Sequence, residues 1–232
     1  MKKLGLIGGT GPESTVVYYH DIVYGVQKRA GETVFPNLTI ESLNVFDVLG
    51  FCARGEYDAL TRDLAAGVER LAAAGAEFAA LTGITPHIVF DALQARSPIP
   101  LVSMVETSCA FARRQGCARL GMLGTYPTMT GDFFQKPFAA SGISVVTPNE
   151  AERTYIGEKI EQELEYGRIV PETQTEILRI VRRMAEEDGI EAVVLGCTEL
   201  PLLFAGLEPP VPCMDVMQIH IAALIDRIVH EE

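Results

Sequence analysis

Tryptophan is missing from this chain of 232 residues, and aromatics make up only 7% of it. A large core must then be built mainly from aliphatic side chains and alanine, with 21 glycines for close approaches, which suits tightly packed α/β units. Basic residues are also scarce: 19 Lys and Arg stand against 31 Asp and Glu, a net charge of −12. With no basic stripe, a nucleic-acid partner is excluded. An anionic small substrate is not, because a local pocket can oppose the global field. No apolar run approaches the roughly 18 residues that suggest a membrane span, and the amino-terminal apolar stretch turns into glycine before a signal-peptide core forms. The five cysteines (Cys52, Cys109, Cys117, Cys197 and Cys213) contain no CxxC pair, so neither a metal site nor a redox motif is expected. These absences imply a cytoplasmic, thiol-reduced protein without a membrane partner.

What is present is strand–helix alternation. Apolar runs bounded by glycine or proline predict buried parallel strands at 4–7, 38–43, 78–81, 101–102, 120–123, 144–147, 192–195 and 211–214. Helical spacing predicts helices over 13–29, 57–74, 88–95, 106–115, 156–166, 171–188 and 217–230.

The alternation occurs twice. Leu4-Gly-Leu-Ile-Gly-Gly-Thr10 resembles Leu120-Gly-Met-Leu-Gly-Thr-Tyr126, and Pro98-Ile-Pro-Leu101 resembles Pro210-Val-Pro-Cys213. Between them, Gly75–Thr85 aligns with Gly189–Glu199, so that Leu81 meets Leu195 and Gly83 meets Cys197. The separations agree: 75 residues from Gly8 to Gly83, and 73 from Gly124 to Cys197. The expected fold is α/β, as two pseudo-symmetric parallel-sheet domains. One covers residues 1–103 and the other 104–215, with the C-terminal helical segment 216–232 a candidate to complete the first. Ligands of open α/β sheets bind beyond the carboxyl ends of the strands. Two such domains face to face would put Thr10, Gly83, Thr125 and Cys197 around one cleft.

Cys197 follows a buried strand and precedes a helix start, where backbone amides and the helix dipole favour a thiolate. The other four cysteines read as core or surface residues. Thr82, Thr85, Thr125, Thr128 and Thr198 concentrate in the repeated loop tips, where hydroxyls can hold carboxylate oxygens. Gly8-Gly-Thr-Gly-Pro12 is a glycine loop at a helix start, suited to an anion but lacking the dinucleotide fingerprint. His87 and His220 read as packing residues, and Arg168 as a surface arginine or a carboxylate clamp.

Gly8–Thr15, Thr85-Pro-His87, Leu123–Met129, Gly196-Cys-Thr-Glu-Leu200, Asp215 and His220 together resemble the aspartate/glutamate racemase superfamily, in its order and over nearly the whole chain. The resemblance implies a cofactor-independent amino-acid racemase acting on substrates such as aspartate or glutamate. It implies two α/β domains with the site between them, and a homodimer. In that family two cysteines flank the substrate α-carbon. Cys197 matches the second, whereas the first falls on Gly83, which has no side chain to carry a proton. The resemblance leaves Thr82 as the candidate for the opposite face, since some members use a threonine near this spot. It assigns substrate binding to Thr10, Gly83, Thr85, Thr125, Thr128 and Thr198. Two alternatives follow from the lone thiol. One is a decarboxylase of a malonate-type acid, similar to the arylmalonate decarboxylases. The other is a carboxylate-binding protein without turnover.

Overall fold

A computed structural model describes residues 1–230. Residues 231–232, the end of the segment expected to complete the first domain, lie outside the described residues. The chain divides into two compact units: residues 1–107 with 217–232, and residues 108–216.

Unit 1 runs β1 (Leu4–Gly8), α1 (Pro12–Ala30), β2 (Leu38–Ser42), α2 (Val45–Ala53), α3 (Tyr57–Ala73), β3 (Phe78–Leu81), α4 (Phe90–Gln94), β4 (Leu101–Val102) and the start of α5 (Met104–Gln115). Unit 2 holds β5 (Arg119–Gly124), α6 (Tyr126–Thr130), α7 (Gln135–Ala140), β6 (Ser144–Val146), α8 (Glu150–Gln162), α9 (Pro171–Glu187), β7 (Ala192–Gly196), α10 (Leu200–Phe204) and β8 (Cys213–Asp215). The last helix, α11 (Val216–Val229), returns to unit 1.

Each unit contains a four-stranded sheet, and every strand pairing is parallel. The strand orders are β2-β1-β3-β4 and β6-β5-β7-β8, which become identical when β1 is replaced by β5 and so on through the set. The register repeats as well. Ile7 pairs with Leu81 in unit 1, and Leu123 pairs with Leu195 in unit 2. The duplication read from the sequence is therefore a duplication of topology and register. The central strands β1, β3 and β7 are buried along their whole length, as parallel strands covered by helices on both faces must be.

Small residues let these layers close. A Cβ on Gly5 would stand 3.0 Å from the Cβ atoms of Ala76 and Leu71, and one on Gly121 would stand 2.6 Å from Ile190 Cδ1. In unit 1, α11 is tied to the first strand and helix. Lys2 N–H donates to the Ile228 carbonyl (3.1 Å), Gln218 donates to Asp21 (2.7 Å), and Arg29 pairs with Asp226.

Some local expectations shift. Val45–Ala53 is helical although no helix was expected there; the Asn44 side chain caps it by accepting from Phe46 N–H (3.1 Å). Helix α8 begins at Glu150, six residues before the expected start at Ile156. There Asn149 and Glu152 form a reciprocal capping box. It ends at Gln162, and the rest of the expected helix is a separate 3₁₀ turn, Leu164–Tyr166, closed by Gly167 in the left-handed region (φ 65°).

Candidate active site

The candidate site residues Thr10, Thr82, Gly83, Thr85, Thr125, Thr128, Cys197 and Thr198 lie just past the carboxyl ends of β1, β3, β5 and β7, within their own units, whereas His220 is in α11 and Arg168 follows the turn after α8. In unit 1, β1 runs into a loop in which Gly9 has φ 77°. A Cβ there would stand 2.1 Å from the Leu43 carbonyl oxygen, so only glycine passes. The Gly9 N–H donates to Thr15 Oγ1 (2.9 Å), whose hydroxyl donates to the Gly11 carbonyl (2.8 Å). That amide of the glycine loop is thus already engaged by the protein itself.

Gly83 follows β3 by two residues. A Cβ built on it would stand 2.8 Å from Thr10 Oγ1 and 2.9 Å from the Thr10 carbonyl oxygen. The start of any side chain at this position is occupied by the Thr10 segment. Thr10 Oγ1 is buried and has no hydrogen-bond partner. Thr82 differs. It is fully buried, and both its N–H (3.0 Å) and its hydroxyl (3.2 Å) donate to the Ile7 carbonyl. Its hydroxyl also lies 3.4 Å from that of Thr15, so both contacts hold it within unit 1. Thr85 opens the 3₁₀ turn Thr85–Val89 and is buried.

The two histidines are buried and structural. His87 Nδ1–H donates to the Gly83 carbonyl (3.0 Å), Nε2 accepts from Met104 N–H (3.1 Å), and the ring stacks on Phe90 at 5.1 Å. His220 Nε2–H donates to the Val102 carbonyl (3.1 Å), so Nδ1 accepts from Tyr18 Oη (2.8 Å). Burial lowers their pKa values to about 4 and about 3. Both are neutral rings used as connectors, and His87 fixes the carbonyl of Gly83.

In unit 2, Thr125 immediately precedes α6, and its hydroxyl lies 2.9 Å from that of Thr128, both buried. Cys197 stands directly after β7 and is 3% exposed. Its thiol donates to Glu199 Oε2 at 3.1 Å, and the Thr198 hydroxyl donates to the same oxygen at 2.8 Å. Burial first, and then the charges of Glu199 and Glu165, raise its pKa well above the usual thiol value.

This corrects the expectation of a thiolate. The helix that follows, α10, has only five residues. A helix end contributes at most about 1–2 kcal/mol, whereas full burial shifts a pKa by as much as 3–5 units, each about 1.4 kcal/mol. Desolvation and the two carboxylates win, so the resting group is a protonated thiol with a carboxylate acceptor.

Glu199 and Glu165 were not among the residues expected at the site. Cys197 Sγ and one oxygen from each lie within 4.8 Å of one another, the donor set a cation would meet. Glu165 is pushed up to about 7, by burial and then by Glu199 and Glu161. The acid at the second position after the cysteine was visible in Gly-Cys-Thr-Glu. Glu165, 34 residues upstream, has no local signal and joins the site only through the fold. Arg168 places its guanidinium over the exposed Tyr166 ring, 5.5 Å from the centroid.

The family profile described as Asp/Glu/Hydantoin racemase matches residues 7–224. A candidate Asp/Glu racemase of Yersinia pestis superposes with a TM-score of 0.90 at 29% identity, over 99% of this chain and 100% of that one. An aspartate racemase homologue of Pyrococcus horikoshii superposes with a TM-score of 0.83 at 34% identity, over the same shares of the two chains. The broad-specificity amino-acid racemase of Bacillus subtilis is 20% identical over 217 residues, 91% of this chain and 92% of its own.

Proposed function

For a chain that belongs to the Asp/Glu/Hydantoin racemase family, we propose a cofactor-independent amino-acid racemase in which Cys197 exchanges the proton at the substrate α-carbon. The observation that carries this reading is the state of Cys197: a buried, protonated thiol at the carboxyl end of β7, hydrogen-bonded to a carboxylate. Such a thiol is a proton donor as it stands. It becomes a base when its proton passes toward Glu199, because an acid–base group must have an acceptor within hydrogen-bond reach. The threonines beyond β5 and β7 supply hydroxyl donors for the developing enolate oxygens.

Gly83, at the repeat position of Cys197, supplies no second thiol. Thr82 is the sequence candidate, and its hydroxyl is already hydrogen-bonded within unit 1, to the Ile7 carbonyl and to Thr15 Oγ1. Thr10 Oγ1 is buried, unpartnered and adjacent to Gly83, which makes it the better-supported hydroxyl in unit 1. Unless activated, either hydroxyl is a weak base. The reading therefore includes unequal exchange of the two enantiomers.

The test is incubation of L- and D-aspartate, glutamate and a panel of neutral and basic amino acids in heavy water. Deuterium should enter the α-position. It should fall by at least about 10²–10⁴-fold in Cys197→Ala, the range of a lost acid–base group. No exchange in any amino acid sinks the reading. Thr10→Ala should slow one enantiomer more than the other, and Thr82→Val should have the smaller effect.

A further inference from the structure

The strand-end loops offer a substrate no fixed cation. Among the described residues no lysine or arginine is buried. The segments 8–15, 82–87, 125–130 and 196–200 contain none, and their one histidine, His87, is a neutral connector. Arg54, directly after α2, is exposed, pairs with Glu56 (2.8 Å) and lies over the Phe51 ring. Arg168 is exposed and lies over Tyr166. Acids stand there instead. Cys197 Sγ and one oxygen each from Glu199 and Glu165 lie within 4.8 Å of one another. Glu199 Oε1 and Glu165 Oε2 are buried without a partner, and neither acid forms an ion pair with a lysine or arginine among the described residues.

Unit 1 adds an apolar element at the same end of its sheet. Helix α2 follows the carboxyl end of β2. Leu43, just before it, donates its N–H to the Gly8 carbonyl (2.9 Å), which ties α2 to the loop carrying Thr10. The helix also packs on the turn that Thr85 opens. Of its nine residues, Asp47 alone is charged. Val48 and Cys52 sink into the core of unit 1, whereas Phe46 stays out of it, 63% exposed. A helix apolar on every side is normally covered on every side. A large exposed aromatic beside a substrate loop marks a place for an apolar ligand group.

We propose that the substrate is an amino acid with an uncharged, apolar side chain, and that Phe46 selects for it. This rests on the reading of Cys197 and Thr10 as the groups that face the α-carbon. To take or give the α-proton, Sγ must come to roughly 3–3.5 Å from that carbon. The side-chain carboxylate of aspartate or glutamate ends a few bonds of about 1.5 Å further on, so it stays within about 9 Å of the sulfur whichever way it turns. In a buried site that is close enough for Glu165 and Glu199 to repel it with little screening, and no lysine or arginine of the strand-end loops offsets them. A basic side chain escapes the repulsion but sets its own charge against the apolar α2. An apolar side chain incurs neither cost.

Initial rates of α-deuterium incorporation give kcat/KM for leucine, methionine, alanine, aspartate, glutamate and lysine with the full-length protein. Leucine and methionine should exceed aspartate and glutamate by about 10²-fold or more, the scale of a charge left unpaired, with lysine between. Phe46→Ala should lower kcat/KM for leucine about 10-fold more than for alanine, whose methyl group is too short to use the ring. A merely structural role would lower both alike. Phe46→Arg should raise aspartate and lower leucine. Unchanged thermal unfolding of both variants shows that the fold is intact. The proposal is overturned if aspartate, glutamate or lysine matches or outruns every neutral amino acid, or if Phe46→Ala lowers leucine and alanine equally. Exchange of leucine and aspartate at equal rates would thus keep the racemase and remove the preference. If no amino acid exchanges, calorimetric titration with leucine and aspartate separates the two readings. Tighter leucine keeps the apolar preference without the racemase; tighter aspartate, or binding of neither, removes the preference as well.

Discussion

At Gly83 the missing thiol is also a missing volume. A Cβ there meets Thr10 Oγ1 at 2.8 Å and the Thr10 backbone oxygen at 2.9 Å. The hydroxyl can turn away, but the carbonyl belongs to the chain. Restoring a family-like cysteine with Gly83→Cys should therefore cost about 1–3 kcal/mol, the usual range for overpacking, measured by urea unfolding. Racemisation should not rise in the single variant. Pairing it with Thr10→Gly should recover stability by releasing the side-chain half of the conflict. A single Gly83→Cys variant that is as stable as the parent and faster would show that this loop yields freely. The Gly83 loop thus differs from a cysteine-bearing one by two coupled positions, 10 and 83.

Helix α8 shows how local signals and tertiary partners combine. Its capping box satisfies two backbone N–H groups at the amino end, with Glu152 N–H donating to Asn149 Oδ1 at 3.0 Å and Asn149 N–H to Glu152 Oε2 at 3.1 Å. The same Glu152 accepts both arms of Arg183 from α9, at 2.9 and 2.6 Å, while 7% exposed. Glu152→Ala removes the box and two bonds to Arg183, which keeps Asp188 (3.0 Å) and Glu187 (3.5 Å), so a loss of about 1–3 kcal/mol is expected. Thermal or urea unfolding measures it, and a change below about 1 kcal/mol would mean that the pair contributes no more than a surface bridge.

The Asn-x-x-Glu signal was present in the sequence, yet apolar spacing alone put the start at Ile156. Helices α2, α6 and α7, of nine, five and six residues, are too short for periodicity to register. The long buried strands were legible to within a residue or two, because continuous apolar runs between glycines leave few alternatives. Cys197 was legible from its position after such a strand. Its protonation state was not, since that depends first on burial and then on Glu199 and on Glu165, which only the packing of the turn after α8 brings near.

At the scale of the molecule, unit 1 carries two neutral histidines in its interior. Their folded pKa values, about 4 for His87 and about 3 for His220, lie below the ordinary 6.5. At these two rings the unfolded chain therefore binds up to two more protons than the folded one below about pH 6.5, while Glu165, raised to about 7, opposes them by up to one. Stability should fall as the pH drops from 6.5 toward 4, by about 1.4 kcal/mol per pH unit for each ring, and the slope should flatten once the folded rings themselves protonate. His220→Gln keeps a donor for Val102 and an acceptor for Tyr18, and should lower the slope by one ring's share, about 1.4 kcal/mol per pH unit. Equal slopes for parent and variant in urea unfolding between pH 4.5 and 6.5 would refute the assignment.

Helix α11 belongs to unit 1 although 109 residues of unit 2 (108–216) separate it from the rest of that unit. During synthesis the chain leaves the ribosome from its amino end. Unit 2 is one uninterrupted stretch, complete in sequence once residue 216 has emerged. Unit 1 began earlier but still lacks the helix that supplies His220 to Tyr18 and Val102, and the Ile228 carbonyl to Lys2 just before the first strand. The half of the molecule that is translated first is therefore the half that is finished last.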